Sequence, residues 1–300
     1  MPDSVTTAQE TRDAINRDIA IRTKAYQTEI ARFQALNANL TNLGAALPQT
    51  PLAMLAHGDS WFDYPLTGNV PSPLQPTDVI AQLKTMGNIH PFILNVSHHG
   101  DATTDEMSWP KQQRMIDALR VPSNWPTGGR PDAILFSGGG NDIAGDQFCV
   151  FLDYARPGAA GLNVQRFQEA LGMVEASYRD LFAFRDRFAH GVPIFAHCYD
   201  FAIPNGVATF CAGPWLKPSL DFCGWDVPHG TAIVRQALME FKVRLDNLAA
   251  DPKNNFFVVH TQGTLMAPEW ANELHPQPGG FQKIAAKFVT ALRAKFPARI

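Results

Sequence analysis

Three short strings hold the residues whose types and spacing could do chemistry: Gly58-Asp59-Ser60, Gly139-Gly140-Asn141-Asp142 and His275-Pro276. The apolar run 52–56 delivers Ser60 to the end of an expected strand, where an exposed hydroxyl can attack a carbonyl. A serine hydroxyl is a poor nucleophile near neutral pH and needs a base within hydrogen-bonding reach. His275 is the candidate base, in the loop Asn272-Glu-Leu-His275-Pro-Gln-Pro-Gly that opens the last expected helix. A second apolar run, 133–136, ends in glycines followed by Asn141, whose side-chain amide can donate to a developing oxyanion. The string Asn95-Val-Ser-His-His-Gly100-Asp places Gly100 after another expected strand. The backbone N–H groups of Gly100 and Ser60 are further candidate donors.

Several neighbours of these residues admit two readings. His98 and His99 precede Gly100 and read as pocket-lining or as hydrogen-bonded structural histidines, the second being preferred. His57, Asp59, His98 and His99 could be grouped as a metal site, but serine chemistry accounts for the strings without a metal, so none is expected. Asp59 and Asp142 read as structural, one holding the turn after the first strand and the other capping a helix. Trp61, Phe62 and Tyr64 follow the serine, and Trp270 precedes the histidine loop. Trp61, Trp215 and Trp225 are candidate substrate contacts, because aromatic faces suit an acyl chain or a sugar. They would be equally at home in a core.

The elements that must position these groups alternate between short apolar runs and amphipathic stretches, the pattern of parallel strands joined by crossover helices. Strands are expected near 52–57, 92–96, 132–137, 192–197 and 255–260, and helices near 77–87, 104–119, 163–190, 229–250 and 278–296. Five parallel strands imply an α/β fold, a three-layer α/β/α sandwich, whose ligands bind at the carboxyl ends of the strands. Residues 8–44 read as one long helix, with Ile15, Ile19, Tyr26, Ile30, Phe33 and Leu40 recurring on one face. That helix either lies on the domain, the preferred reading, or pairs with a second copy of the chain. The expected division is a helical extension over 1–48 and a catalytic domain over 49–300.

Two segments break the alternation, 144–162 and 200–228. The second carries Phe201, Phe210, Trp215, Phe222 and Trp225 with four prolines. So long a loop, so rich in aromatics, is expected to be ordered. It reads as a cap insertion shaping a pocket, or as rings packed only on one another, and the sequence does not separate the two.

Composition narrows the classes. The chain has 300 residues, 45% hydrophobic and 18% charged, with a formal net charge of -3. No basic stripe of the kind that binds a phosphate backbone is present, so nucleic acid is not an expected partner. No apolar stretch approaches the roughly 18 residues a membrane span needs. The N-terminal residues lack the basic and apolar regions of a secretory signal, so the default expectation is cytoplasmic, with export lacking such a signal left open. Cys149, Cys198, Cys211 and Cys223 form no CxxC pair. Reduced thiols are expected, the alternative being a Cys211–Cys223 bridge in an exported protein.

At these strings, and in layout over about residues 50–285, the chain resembles the SGNH hydrolases, the GDSL esterase/lipase family, whose four blocks carry Ser, Gly, Asn and His in this order. The resemblance implies a flavodoxin-like strand order and a serine esterase or acylhydrolase working through an acyl-enzyme on Ser60. His275 would be the general base, Gly100 and Asn141 part of the oxyanion hole, and no cofactor would be required. The expected partner is a small-molecule, lipid or glycan ester. Alternatives are a carbohydrate O-acetylesterase, a lipid or thioester acylhydrolase, or a catalytically weak binding protein of the same fold. The chain departs from the family at position 272, where Asn replaces the usual Asp of the histidine block. Three accounts follow: a main-chain carbonyl near 272 orients His275 and leaves a Ser–His dyad, which is preferred; Glu273 or Glu269 takes the place of the acid; or the enzyme is weak.

Overall fold

The computed structural model describes residues 4–64, 77–126, 128–208 and 213–300, and the side chains from residue 10 onward. Five strands, β1 (Ala53–Gly58), β2 (Phe92–Asn95), β3 (Ala133–Ser137), β4 (Ile194–His197) and β5 (Phe256–Val259), form one parallel sheet in the order β2-β1-β3-β4-β5. Each expected strand is found, and the sheet and its flanking helices make the anticipated α/β/α arrangement. β1, β3 and β4 are buried along their whole length, as a parallel sheet covered on both faces requires.

Nine helices of the described residues connect and cover the sheet: α1 (Ser4–Asn42), α2 (Val79–Leu83), α3 (Thr103–Glu106), α4 (Trp109–Leu119), α5 (Gly140–Ile143), α6 (Val164–Phe188), α7 (Lys217–Phe222), α8 (Val227–Ala249) and α9 (Pro278–Lys295). The single helix expected over 104–119 is two helices, α3 and α4. Pro110 lacks the N–H that a continuous helix would use, and it sits in the first turn of α4, where that donor is not needed. α7 lies inside the segment expected as loop.

The long helix α1 docks on the domain at the β2 edge. Ile19, Tyr26 and Ile30 join the same hydrophobic core as the strands. Phe33 meets the Phe92 ring edge-on at 5.4 Å, and the Tyr26 hydroxyl donates to the Asn124 carbonyl at 2.7 Å. Covering an edge strand in this way removes a template for pairing between chains. Arg22 reaches from α1 to the Ser97 carbonyl at 3.0 Å, directly before the histidines and Gly100. Among the described residues no helix is long and apolar enough to cross a membrane.

Candidate active site

β1 runs buried to Gly58 and turns, and that turn presents Ser60. Gly58 has φ +151, and a Cβ there would lie 2.3 Å from the Ser137 carbonyl oxygen on β3, so only glycine lets the two strand ends approach. Asp59 N–H donates to the same carbonyl at 2.9 Å. The Asp59 carboxylate accepts from the Trp61 N–H at 3.0 Å, the Ser137 hydroxyl at 2.6 Å and the Tyr199 hydroxyl at 2.5 Å. Burial nonetheless pushes Asp59 up to about 6, since the charged form loses its hydration and these hydrogen bonds recover only part of it.

A buried relay stands behind this turn. Tyr199 N–H donates to His197 Nδ1 at 3.2 Å, so the His197 proton resides on Nε2 and points at Ser137 Oγ, 2.7 Å away. Ser137 then donates onward to Asp59. His197 is held neutral, its value lowered to about 3 by burial. The members of this network come from the ends of β1, β3 and β4, so no single stretch of sequence displays it. A polar Ser137 at an inward position closing an apolar strand was the available signal.

Ser60 and His275 meet. Ser60 Oγ lies 2.7 Å from His275 Nε2, within the range of a hydroxyl donating to a ring nitrogen. The other ring nitrogen, Nδ1, lies 3.1 Å from Asn272 Oδ1. The amide orientation of Asn272 is settled by its neighbours: Oδ1 also accepts the Leu274 N–H at 3.0 Å and the His275 N–H at 2.9 Å, while Nδ2 donates to the Tyr64 hydroxyl at 3.0 Å. Two backbone donors demand oxygen at that position. Nδ1 therefore carries the ring proton, and the Nε2 lone pair faces the serine.

The preferred expectation of a main-chain carbonyl behind His275 is thus corrected: the acceptor is the Asn272 side chain. The reason is an Asx-type turn over 272–275, a geometry that short Asn and Asp side chains adopt with the N–H two and three residues on. Neither glutamate substitutes for it. Glu269 pairs with Lys283 at 2.6 Å, and the Glu273 carboxylate turns away, accepting backbone N–H groups of the 206–217 segment. Tyr64, a functional neighbour visible in the sequence only as one aromatic after the serine, both anchors Asn272 and packs on the His275 ring at 4.3 Å. Burial, with the His99 charge second, lowers His275 to about 3, so the imidazole is neutral and able to take a proton across the ordinary pH range.

The Gly139–Asp142 string locks to the stretch that follows β2. Asn141 Nδ2 donates to the Asp101 carbonyl at 2.8 Å, leaving its second amide hydrogen for the pocket it lines with Ser60 and His275. Asp142 caps α3, accepting both the N–H and the hydroxyl of Thr103 at 2.9 and 2.8 Å. Gly100 adopts φ +83, and among the described residues neither its N–H nor that of Ser60 has a protein partner. His57, Asp59, His98 and His99 do not converge on one point. His57 Nε2 contacts the Glu106 carbonyl at 2.8 Å, whereas His98 and His99 stack on each other and face Asp101 and Asp63 respectively.

A pocket opens beside Ser60, with about 520 Å³ of empty space counted to its open mouth. Away from the reacting groups its walls are mainly apolar, including Ile143, Phe148, Leu216, Val234, Ala237 and Leu238, with Tyr199 and Asp200 beside them. Trp61 lines it, with its Nε1–H tied to the Leu274 carbonyl at 3.2 Å. Trp215 is not in its wall but meets His275 edge-on at 5.5 Å. Trp225 lies away from it and ties the two long loops together by donating to the Asp153 carbonyl at 2.7 Å, so its expected substrate contact is corrected to a structural one. The segments 144–162 and 200–228 both reach the pocket, through Phe148, Ala202 and Leu216. Phe210 and Cys211 fall outside the described residues, and with them the Cys211–Cys223 bridge; Cys149, Cys198 and Cys223 are free thiols.

Comparison with known proteins agrees on the fold. No family model and no curated protein matches the chain. Among solved structures, a lipase from a goat rumen metagenome superposes with a TM-score of 0.52 and 16% identity, covering 80% of this chain and 97% of that one. An extracellular lipase from Streptomyces rimosus gives 0.50 and 17%, covering 80% and 98%. The fold is therefore an α/β/α fold shared with these two lipases. The five-stranded parallel sheet and its flanking helices are what this chain shares with those two structures.

Proposed function

We propose that this chain is a serine esterase or acylhydrolase that cleaves carboxylic esters through an acyl-enzyme on Ser60. One observation carries the reading: Ser60, His275 and Asn272 form a continuous hydrogen-bonded series whose proton positions are fixed by backbone donors. As Ser60 Oγ attacks the carbonyl carbon, its proton passes to His275 Nε2. The oxyanion is received by the N–H groups of Ser60 and Gly100 and by the Asn141 amide, one such donor being worth about 10²- to 10³-fold in rate. His275 returns the proton to the leaving alcohol, then activates water to release the acid. The apolar pocket walls favour an acyl chain over a sugar ring, which would leave its hydroxyls unpaired there. The likeness of fold to two lipases points the same way.

The test is hydrolysis of p-nitrophenyl acetate, butyrate, octanoate and palmitate by the wild type and Ser60→Ala, with fluorophosphonate labelling of Ser60. Turnover is expected to require Ser60 and to be greater on an apolar acyl chain than on acetate. Turnover equal to the Ser60→Ala background on every ester, with no labelling, would replace this reading by that of a binding protein which keeps the pocket.

A further inference from the structure

Glu273 sits between Asn272 and His275 in sequence, yet it is fully buried and bonded entirely to another segment. Its Oε1 accepts the Gly206 N–H at 2.9 Å and the Lys217 N–H at 3.1 Å. Its Oε2 accepts the Trp215 N–H at 2.6 Å and the Leu216 N–H at 2.8 Å. Its main chain binds the same segment in both directions, with Ile203 N–H donating to its carbonyl and its own N–H donating to the Val207 carbonyl. Among the described residues no lysine, arginine or histidine pairs with it. Four backbone donors converging on one buried carboxylate are a demanding arrangement, because each would be an orphan without it.

What these donors hold is the pocket wall. Leu216 lines the pocket, and Trp215 meets the His275 ring edge-on. Glu273 thus joins the wall to the loop that carries the base, with no atom of its own reaching Ser60 or His275 by hydrogen bond. We propose that Glu273 is the positioning residue that sets acyl-chain recognition, by pinning residues 215–217, which carry the wall residue Leu216, to the 272–275 turn. This rests on the esterase reading of the same site. A glutamine at 273 keeps one acceptor oxygen but turns an amide NH₂ against two of the four N–H groups. The wall is then expected to loosen while the 272–275 turn, closed by Asn272 rather than Glu273, persists.

The experiment compares wild type, Glu273→Gln and Leu216→Ala on p-nitrophenyl acetate and octanoate, with circular dichroism to establish folding. The ratio of kcat/KM for octanoate to that for acetate is expected to fall about tenfold in Glu273→Gln, through KM, because a hydrophobic wall discriminates by uniform binding. Leu216→Ala should lower the same ratio. An unchanged ratio in folded Glu273→Gln, or an equal loss on both esters, overturns the proposal, the second because it would place the effect on His275. Amide hydrogen exchange of the wild type decides the anchoring even if the Gln variant does not fold: protection at Gly206 and at 215–217 is expected, and exchange there at the rate of open loops overturns it. Failure of the esterase reading would appear separately, as ester turnover that does not depend on Ser60.

Discussion

Asn272→Asp tests whether the site works without a carboxylate behind its histidine. Asn272 is buried, and its Oδ1 accepts three N–H groups. Aspartate reproduces all three, and its second oxygen stands where Nδ2 faces the Tyr64 hydroxyl at 3.0 Å. The substitution therefore adds a charge without altering shape. In the wild type His275 is lowered from 6.5 to about 3, a deficit of about 5 kcal/mol in the stability of its charged form. A carboxylate whose charge centres about 4 Å from that of an imidazolium offers about 4 kcal/mol at an effective dielectric of 20. If about half of the charge has developed in the transition state, the gain is about 2 kcal/mol, or some 30-fold in kcat. The gain is smaller than the roughly 10⁴-fold effect of the reverse exchange in a serine protease, where the tautomer was also lost; here Asn272 already holds the correct tautomer. The assay is kcat/KM for p-nitrophenyl octanoate from pH 4 to 9. Wild-type His275 stays neutral until the pH falls toward its lowered value, so its acid limb lies far to the acid side. In Asn272→Asp the value rises, and the limb should move toward the ordinary histidine range as the rate at pH 8 increases. A folded variant with neither a faster rate nor a shifted limb would refute the reasoning.

Other outcomes follow from the same geometry. Ala237→Phe, which fills the pocket wall on α8, should cut octanoate hydrolysis about 10- to 100-fold while sparing acetate, read as a chain-length profile; an unaltered profile would place the chain elsewhere. Gly58→Ala sets a Cβ against the Ser137 carbonyl at a left-handed φ, and should cost about 3 kcal/mol or more in chemical denaturation; a loss under 1 kcal/mol would contradict that close approach. Tyr26, Tyr178 and Tyr199 are all raised above 10, in each case chiefly by burial. The unfolded chain releases these protons from about pH 10 while the folded chain keeps them, so stability should fall by about 4 kcal/mol per pH unit above that point. Thermal melts at pH 9 and 11 will check it, a level Tm being the contrary result.

The elements themselves were legible because their signals are local. Apolar runs bounded by turn residues marked all five strands, and the placement of Ser60, Gly100 and Asn141 just past three strand ends followed from where those runs stop. Proline-driven division of 104–119 was available in Pro110 but was outweighed by the continuity of the helical pattern. α7 leaves no periodic mark in the sequence because a six-residue helix with Pro218 in its first turn has too few turns to show one.

What the sequence by itself determined is the chemistry on offer: a serine, a histidine and an amide delivered to one edge of a parallel sheet, since strand ends follow from hydrophobic runs and need no knowledge of distant partners. Tertiary structure alone decided how those groups are held. Asn272 proved to be the acceptor because Tyr64, 208 residues away, holds its amide nitrogen while the four-residue turn 272–275 folds its oxygen onto His275. The neighbouring Glu273 proved to serve the pocket wall because four N–H groups from residues 206–217 converge on it. Asp59 is held by Ser137 and Tyr199, 78 and 140 residues away. Side-chain direction within a loop and the matching of buried donors to acceptors depend on contacts made across the whole chain, and no local pattern of residues encodes them.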